Sequence, residues 1–373
     1  MIIAGEASGD LHGASLISEL KKLDKDLEIC GIGGDKMEAA GMKIIYHINR
    51  MAFLGFAEVI KHLPFIKRVQ RDLISAVKEK GIGSVVLIDY PGFNLSIAKK
   101  LKPLRIKIIY YISPQIWAWG AGRIKKIKKL ISKMLVVFPF EEELYKNAGV
   151  DVEFVGHPLI ERINGYNFLS KEELYKKFNL QDGKEILLIL PGSRSHEVEK
   201  IFPESIRAAE KLAGEFNLQV VAACSPNIEE KIFYGLTESR NFKVIKNHTY
   251  DLLKHAKIGI VKSGTSTLEA GLFLLPMVIV YKTSYLTYLI GRSLVRVDSI
   301  GMANIIAGEN VAPELIQNEA SRDSIYKECR RILSDAYLYN SIKNKLTVIK
   351  EKLVSGGASL RAAKIIYAIL NEV

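Results

Sequence analysis

The sequence predicts an α/β protein built as two doubly wound parallel sheets, and three observations carry that reading. Runs of β-branched and apolar residues are nearly continuous rather than alternating, as strands covered on both faces require. Amphipathic helical segments separate most of these runs, which is the element order that parallel sheets need. The length, 373 residues, exceeds what a single core usually organises, so the pattern is expected twice.

In chain order, strands are predicted at 84–88, 107–112, 134–138, 186–190, 219–223, 258–261 and 277–281. Helices are predicted at 14–23, 67–80, 202–216, 266–274 and 321–333. The domain boundary falls within 157–185: Asn164-Gly165-Tyr166-Asn167 is loop-like, and a fresh strand begins at Ile186 after Asp182-Gly183. This places an N-terminal domain at 1–165 and a C-terminal domain at 166–356, with no low-complexity segment and no short repeat.

Composition narrows the class. Hydrophobic residues at 48% and charged residues at 25% fit an ordinary globular protein and exclude disordered and collagen-like chains. The chain opens on apolar Met1-Ile2-Ile3 with no basic leader region. No run reaches the ~18 apolar residues of a spanning helix, and the best, 270–281, contains Pro276. A cytoplasmic location is expected. Cys30, Cys224 and Cys329 lie far apart without metal-ligand spacing, so reduced core thiols are expected rather than disulfides or zinc. Net charge is +12, and residues 98–133 hold eleven Lys and Arg with no Asp or Glu. Such a block serves an anionic partner or forms a plain solvated face.

Ligands of open parallel sheets sit at the carboxyl ends of strands, so the residues that follow each apolar run are the informative ones. Gly5-Glu6-Ala7-Ser8-Gly9-Asp10 leads from the first strand into a helix, and Ser8, Gly9 and Asp10 suit either an anion or an N-cap. Asp89, in Ile88-Asp89-Tyr90-Pro91-Gly92, follows a strand directly, where a carboxylate must be hydrogen-bonded or working. It reads as a general base or as the cap of a Pro-Gly turn.

Two further loops fall in the second half. Gly192, Ser193 and Arg194 form a strand-to-helix turn whose amides and guanidinium suit a diphosphate. Ser263, Gly264, Thr265 and Ser266 form another, with Glu269 placed for ribose hydroxyls or for a capping box. Two phosphate-type loops in one domain carry more weight than either alone. Neither the P-loop nor the G-x-G-x-x-G signature occurs. Segment 51–77 interleaves Phe53, Leu54, Phe56, Leu63, Phe65 and Ile66 with Lys61, Lys67, Arg68 and Arg71. It forms a membrane-surface patch or a core-facing helix pair broken at Pro64.

These residues resemble the lipid-A-disaccharide synthases, bacterial glycosyltransferases of the GT-B type. The matching stretches are AGEASGDLHGA (4–14), GIGGDKM (31–37), MAFLGFAEVIKHLP (51–64), IDYPGFN (88–94), YYISPQIWAWG (110–120), FVGHP (154–158), LPGSR (190–194), SGTSTLEA (263–270) and ANIIAG (303–308). They run in order along nearly the whole chain. The resemblance implies two Rossmann-like domains facing a cleft, with a closing helix at 357–373 returning to the N-terminal one. It implies transfer of 2,3-diacylglucosamine from UDP-2,3-diacylglucosamine to the 6-hydroxyl of 2,3-diacylglucosamine 1-phosphate. No metal or other cofactor is implied, and Asp24-Lys25-Asp26, superficially a metal-binding D-x-D, lies in a polar stretch after a helix.

Roles follow at the matching positions. Asp89 is implied as the base; Arg194 and Asn304 steady the diphosphate, Ser263 to Ser266 form the anion loop, and Glu269 holds the ribose. The loop of Ser8, Gly9 and Asp10 faces the acceptor. Where some relatives carry a second Asp, in IDAPDFN, this chain has Gly92, which concentrates the base on Asp89. The acylated, anionic substrates imply attachment to an anionic membrane surface, peripheral on the inner face of the inner membrane, as a monomer or homodimer. The alternatives are another UDP-sugar enzyme of this fold, either a transferase to an undecaprenyl lipid or a 2-epimerase. A nucleic-acid-binding module, suggested by a pI near 9.3, lacks any RNA-binding signature or aromatic stacking set.

Overall fold

A computed structural model describes residues 1–51, 62–114, 121–284, 288, 299–353 and 356–372. The chain divides into two compact units, Met1–Arg162 with Leu353–Val373, and Ile163–Lys352.

The first unit contains β1 (Ile2–Ala4), β2 (Cys30–Gly33), β3 (Lys43–His47), β4 (Ser84–Ile88), β5 (Lys107–Tyr111), β6 (Lys133–Val136) and β7 (Val152–Phe154). Among the described residues they form one sheet in the order β3-β2-β1-β4-β5-β6-β7, every pairing parallel. β4 reads Ser-Val-Val-Leu-Ile and is buried throughout, because helices cover both faces. Its core gathers Ile3, Leu87, Ile108, Tyr110, Met134 and Val136.

The second unit contains β8 (Glu185–Leu190), β9 (Leu218–Cys224), β10 (Phe242–Lys246), β11 (Ala256–Lys262), β12 (Met277–Tyr281) and β13 (Glu314–Ile316). Their order is β10-β9-β8-β11-β12-β13, again wholly parallel.

Two predicted elements differ in instructive ways. The first helix runs Ala7–Leu23, well before the predicted start at 14. Gly9 and Gly13 hide its periodicity, yet both are buried where helix and neighbours approach closely. The helix Ser195–Phe216 runs through Pro203, where the forecast began only at 202; a single missing backbone donor does not outweigh its long buried face. Asp24 and Asp26 close a turn, the Asp24 carboxylate accepting from the Asp26 amide at 2.9 Å.

The C-terminal stretch 336–371 is long and apolar enough, by length and composition, to qualify as a membrane span, contrary to the sequence expectation that no stretch is. It consists of two helices, Ala336–Leu353 and Ala358–Asn371. Gly357, at φ 82°, stands at the N-cap of the second. Fourteen residues rise only about 21 Å, short of a bilayer core of about 30 Å. Ala358, Ser359, Ala362, Ala363 and Ile366 are buried against the first unit.

That helix is held by polar contacts as well. The Glu161 carboxylate accepts from the Ser359 amide at 2.8 Å and from its hydroxyl at 2.6 Å. It thus serves as an N-cap from outside the helix. The Arg361 guanidinium donates to the Val155 carbonyl through Nε at 2.8 Å and Nη2 at 2.6 Å. Ser359→Ala is expected to cost about 1 kcal/mol and to speed amide exchange across 358–371 more than in β4 or β5. Unchanged exchange there would show that the Ser359 hydroxyl adds nothing to holding the helix.

Candidate active site

In each sheet the strand order reverses once, between β1 and β4 and between β8 and β11. Helices leave in opposite directions at such a point and open a crevice at the carboxyl edge. The predicted loops fall at these two points.

In the first unit, Asp89 and Tyr90 follow β4 with φ of 44° and 46°. A side chain in this left-handed region is strained by about 1–2 kcal/mol, and the surroundings hold it there. The Asp89 carbonyl accepts from the Tyr110 hydroxyl at 2.5 Å and from Asn94 Nδ2 at 2.6 Å. The Asp89 amide donates to the Tyr111 carbonyl at 3.2 Å. The Tyr90 hydroxyl donates to the Met51 carbonyl at 3.1 Å, and its ring lies against Gly5. A Cβ on Gly5 would stand 2.1 Å from Tyr90 Cδ1, so this loop needs glycine.

The Asp89 side chain is half-buried. Burial first, then the Glu6 carboxylate across the crevice, pushes its pKa up to about 6. A carboxylate poised there accepts a proton near neutral pH. A Cβ at Gly92 would meet nothing within 4 Å. The missing second carboxylate is therefore a chemical difference, with room left for a side chain.

Around the first loop, Ser8 is exposed in the opening turn of the helix and Gly9 is buried against β1. Asp10 faces inward. It is 5% exposed, and its carboxylate accepts from the amides of Gly34 at 2.7 Å, Met37 at 3.1 Å and Lys36 at 3.2 Å. It caps the helix Asp35–Ala39, which corrects the expectation of an acceptor-facing carboxylate.

In the second unit, β8 leads to Gly192, Ser193 and Arg194, and β11 leads to Ser263 through Ser266. Ser193 and Arg194 are exposed; so is Thr265, with Ser266 half-exposed. Gly264 is the N-cap of the helix Thr265–Leu272, with no side-chain cap. Its first amides are directed as an anion site requires. Ser263 is turned inward and donates to the Ile300 carbonyl at 2.8 Å. Glu269 accepts from the Tyr250 hydroxyl at 3.2 Å.

Asn304 departs from its expected role. It is 1% exposed. Its Oδ1 accepts from the amides of Val311 and Ala312, each at 2.9 Å, and its Nδ2 donates to the Ala312 carbonyl at 2.8 Å and to Glu314 Oε1 at 2.7 Å. With both ends of the amide engaged, the side chain pins the 310–314 loop and has nothing to offer a diphosphate.

Two residues at this crevice escaped sequence reasoning. Lys262 Nζ pairs with Glu197 Oε1 at 2.9 Å, and Glu197 Oε2 accepts from the Ser193 amide at 3.0 Å. The only cue in the sequence is a Glu in the first turn of a helix, which usually means a cap.

Of the predicted patch, Phe53, Leu54 and Phe56 lie outside the described residues. Leu63 is 43% exposed. Phe65 and Ile66 instead pack against the first unit's core, Phe65 edge-on to Tyr46. Among the described residues, no cluster of three or more His, Cys, Asp or Glu could hold a metal ion.

Solved structures resemble the chain along its length. A UDP-GlcNAc 2-epimerase from Neisseria meningitidis, bound to UDP-GlcNAc, aligns at TM-score 0.66 and 13% identity over 96% of this chain and 97% of its own. The calicheamicin glycosyltransferase aligns at TM-score 0.60 and 15% identity over 100% of this chain and 97% of its own. The class is thus the two-domain fold shared by GT-B glycosyltransferases and UDP-sugar epimerases. Sequence divides the two. A profile of the lipid-A-disaccharide synthetase family matches residues 1–364. The lipid-A-disaccharide synthase of Geobacter sulfurreducens is 40% identical over 375 residues, 100% of this chain and 97% of that protein. That of Coxiella burnetii is 39% identical over 372 residues, 99% and 98% respectively. This chain belongs to the lipid-A-disaccharide synthetase family and is a glycosyltransferase.

Asp89 also links pH to stability. With a folded pKa of about 6 against an ordinary 3.8, the folded chain holds this proton more tightly than the unfolded one. The stabilisation is full below 3.8 and lost as the pH rises through about 6. Asp89→Asn is expected to gain about 1–2 kcal/mol over the wild type at pH 8, after solvent screening, and much less at pH 4. Urea midpoints at the two pH values measure this; an equal difference at both would remove the linkage.

Proposed function

We propose that the chain joins the 2,3-diacylglucosamine of UDP-2,3-diacylglucosamine to the 6-hydroxyl of 2,3-diacylglucosamine 1-phosphate. The products are UDP and the β-1,6-linked lipid A disaccharide 1-phosphate. Family membership supports the reaction. The observation that supports its chemistry here is Asp89: a half-buried carboxyl with pKa about 6, on a strained turn pinned by Tyr110 and Asn94.

Asp89 takes the proton of the acceptor hydroxyl as that oxygen attacks the anomeric carbon from the face opposite UDP. The bond from that carbon to the diphosphate oxygen breaks, and UDP leaves with the electron pair. Negative charge grows on the diphosphate as it departs. Arg194, the amides around Gly192 and Ser193, and the helix start at Gly264 to Ser266 meet it. Glu269, steadied by Tyr250, takes the ribose. The N-terminal unit serves the acceptor and the C-terminal unit the donor.

Both substrates are acylated and anionic. The basic block at 98–133 and the apolar residues Phe53, Leu54, Phe56 and Leu63 support peripheral attachment to an anionic membrane surface, on the cytoplasmic face of the inner membrane. Phe65 and Ile66, half-buried against the first unit's core, add less.

Asp89→Asn is expected to keep UDP binding and lose about 100-fold or more in turnover. Wild-type kcat/KM should fall about tenfold per pH unit below 6. Near-normal turnover in the variant would take Asp89 out of the mechanism. Arg194→Ala should weaken UDP binding about tenfold, read by calorimetry, and an unchanged dissociation constant would end that assignment. Serine at 53, 54 and 56 together should reduce co-sedimentation with phosphatidylglycerol-containing vesicles several-fold. Equal co-sedimentation would place the membrane contact elsewhere.

A further inference from the structure

The strand register sets Val261 beside Leu190, so Lys262 emerges next to the Pro191–Arg194 turn at the reversal point of the second sheet. Its ammonium lies 2.9 Å from Glu197 Oε1, and 3.6 Å from where a Cβ of Gly264 would stand. It is therefore against the backbone that opens the helix Thr265–Leu272. Glu197 reaches the other loop with its second oxygen, accepting from the Ser193 amide at 3.0 Å, while Arg194 Nη1 stands 3.9 Å from Oε1. Gly192, at φ 133°, gives the carboxylate its space: a Cβ there would lie 2.5 Å from Glu197 Oε2. One carboxylate thus ties both candidate phosphate loops together. Burial alone would raise the pKa of Glu197, but Lys262 first and then the Ser193 amide hold it below the usual carboxylate range.

A carboxylate beside a diphosphate site opposes anion binding, and a partly exposed ion pair adds little to stability. Neither consideration favours a Glu at this position. Direction does. A lysine is a flexible stem with rotatable donors, and it presents its charge to a fixed point only when something holds it. We propose that Lys262 is a further ligand of the donor diphosphate and that Glu197 is its positioning residue, holding the ammonium and the Ser193 amide in register. This rests on the reading of the second unit as the donor site.

The test compares UDP and uridine binding by titration calorimetry for the wild type, Lys262→Met, Lys262→Arg, Glu197→Gln and the Lys262→Met/Glu197→Gln pair. Lys262→Met should weaken UDP about tenfold and leave uridine within about twofold, while Lys262→Arg recovers UDP to within about threefold. Glu197→Gln should weaken UDP about threefold although it removes a negative charge. Plain repulsion predicts the opposite, and in the Lys262→Met background the same change should weaken UDP no further. UDP affinity of Lys262→Met within twofold of the wild type, tighter binding by Glu197→Gln, or equal losses for uridine and UDP would each overturn the proposal. Arg194→Ala run alongside separates the two levels. If it weakens UDP while Lys262→Met does not, only this inference fails; if neither does, the donor-site reading fails with it.

Discussion

Everything at the candidate site depends on one constraint: among the described residues, all strands of both sheets run parallel. A parallel pair cannot be joined by a tight turn, so each connection crosses over and each strand delivers the loop that follows it to the same edge. Where the strand order reverses, no helix covers that edge. Glu6 and Asp89 stand at one reversal, Arg194 and Lys262 at the other. Residues far apart in the chain meet there because backbone geometry leaves them no other edge.

The two reversal points are charged in opposite senses. The first collects carboxylates; burial, and then repulsion from Glu6, makes Asp89 a better proton acceptor than an exposed aspartate. The second collects cations and helix amides, with Glu197 neutralised by Lys262. In the proposed reaction, proton removal and departure of a diphosphate make opposite electrostatic demands, and the residues after these two strands differ in charge in the sense that each demand requires. The cost appears as strain at Asp89 and Tyr90, offset by donors from β5 and from the helix Pro91–Leu101.

Other polar side chains serve routing. Asp10 caps a short helix, Asn304 pins a loop, and Glu161 caps the returning C-terminal helix. Asp251 accepts from the Tyr166 hydroxyl at 2.6 Å and the Leu169 amide at 2.8 Å, fixing the chain where it enters the second unit. Each is buried or half-buried with its oxygens engaged, as polar groups removed from water must be. Position within a functional-looking motif does not disclose such a role; the hydrogen-bond partners do.

The sequence by itself determined the fold class and the central strands, because strands covered on both faces must be apolar along their whole length. β4 and β12 fall at the predicted limits. It also located the loops that carry Asp89, Arg194 and Gly264, since these follow such strands directly. The short or outlying strands β2, β3, β7, β10 and β13 were not legible: three to five residues, some rich in glycine or lysine, leave no periodic pattern. Tertiary structure alone decided which way a polar side chain points. Asp10 and Asn304 turn inward, Phe65 and Ile66 pack half-buried against the core, and Glu197 bridges to Lys262. Local sequence sets the backbone's path, whereas the partner that satisfies a buried charge comes from a residue distant in the chain and is fixed only when the sheet forms.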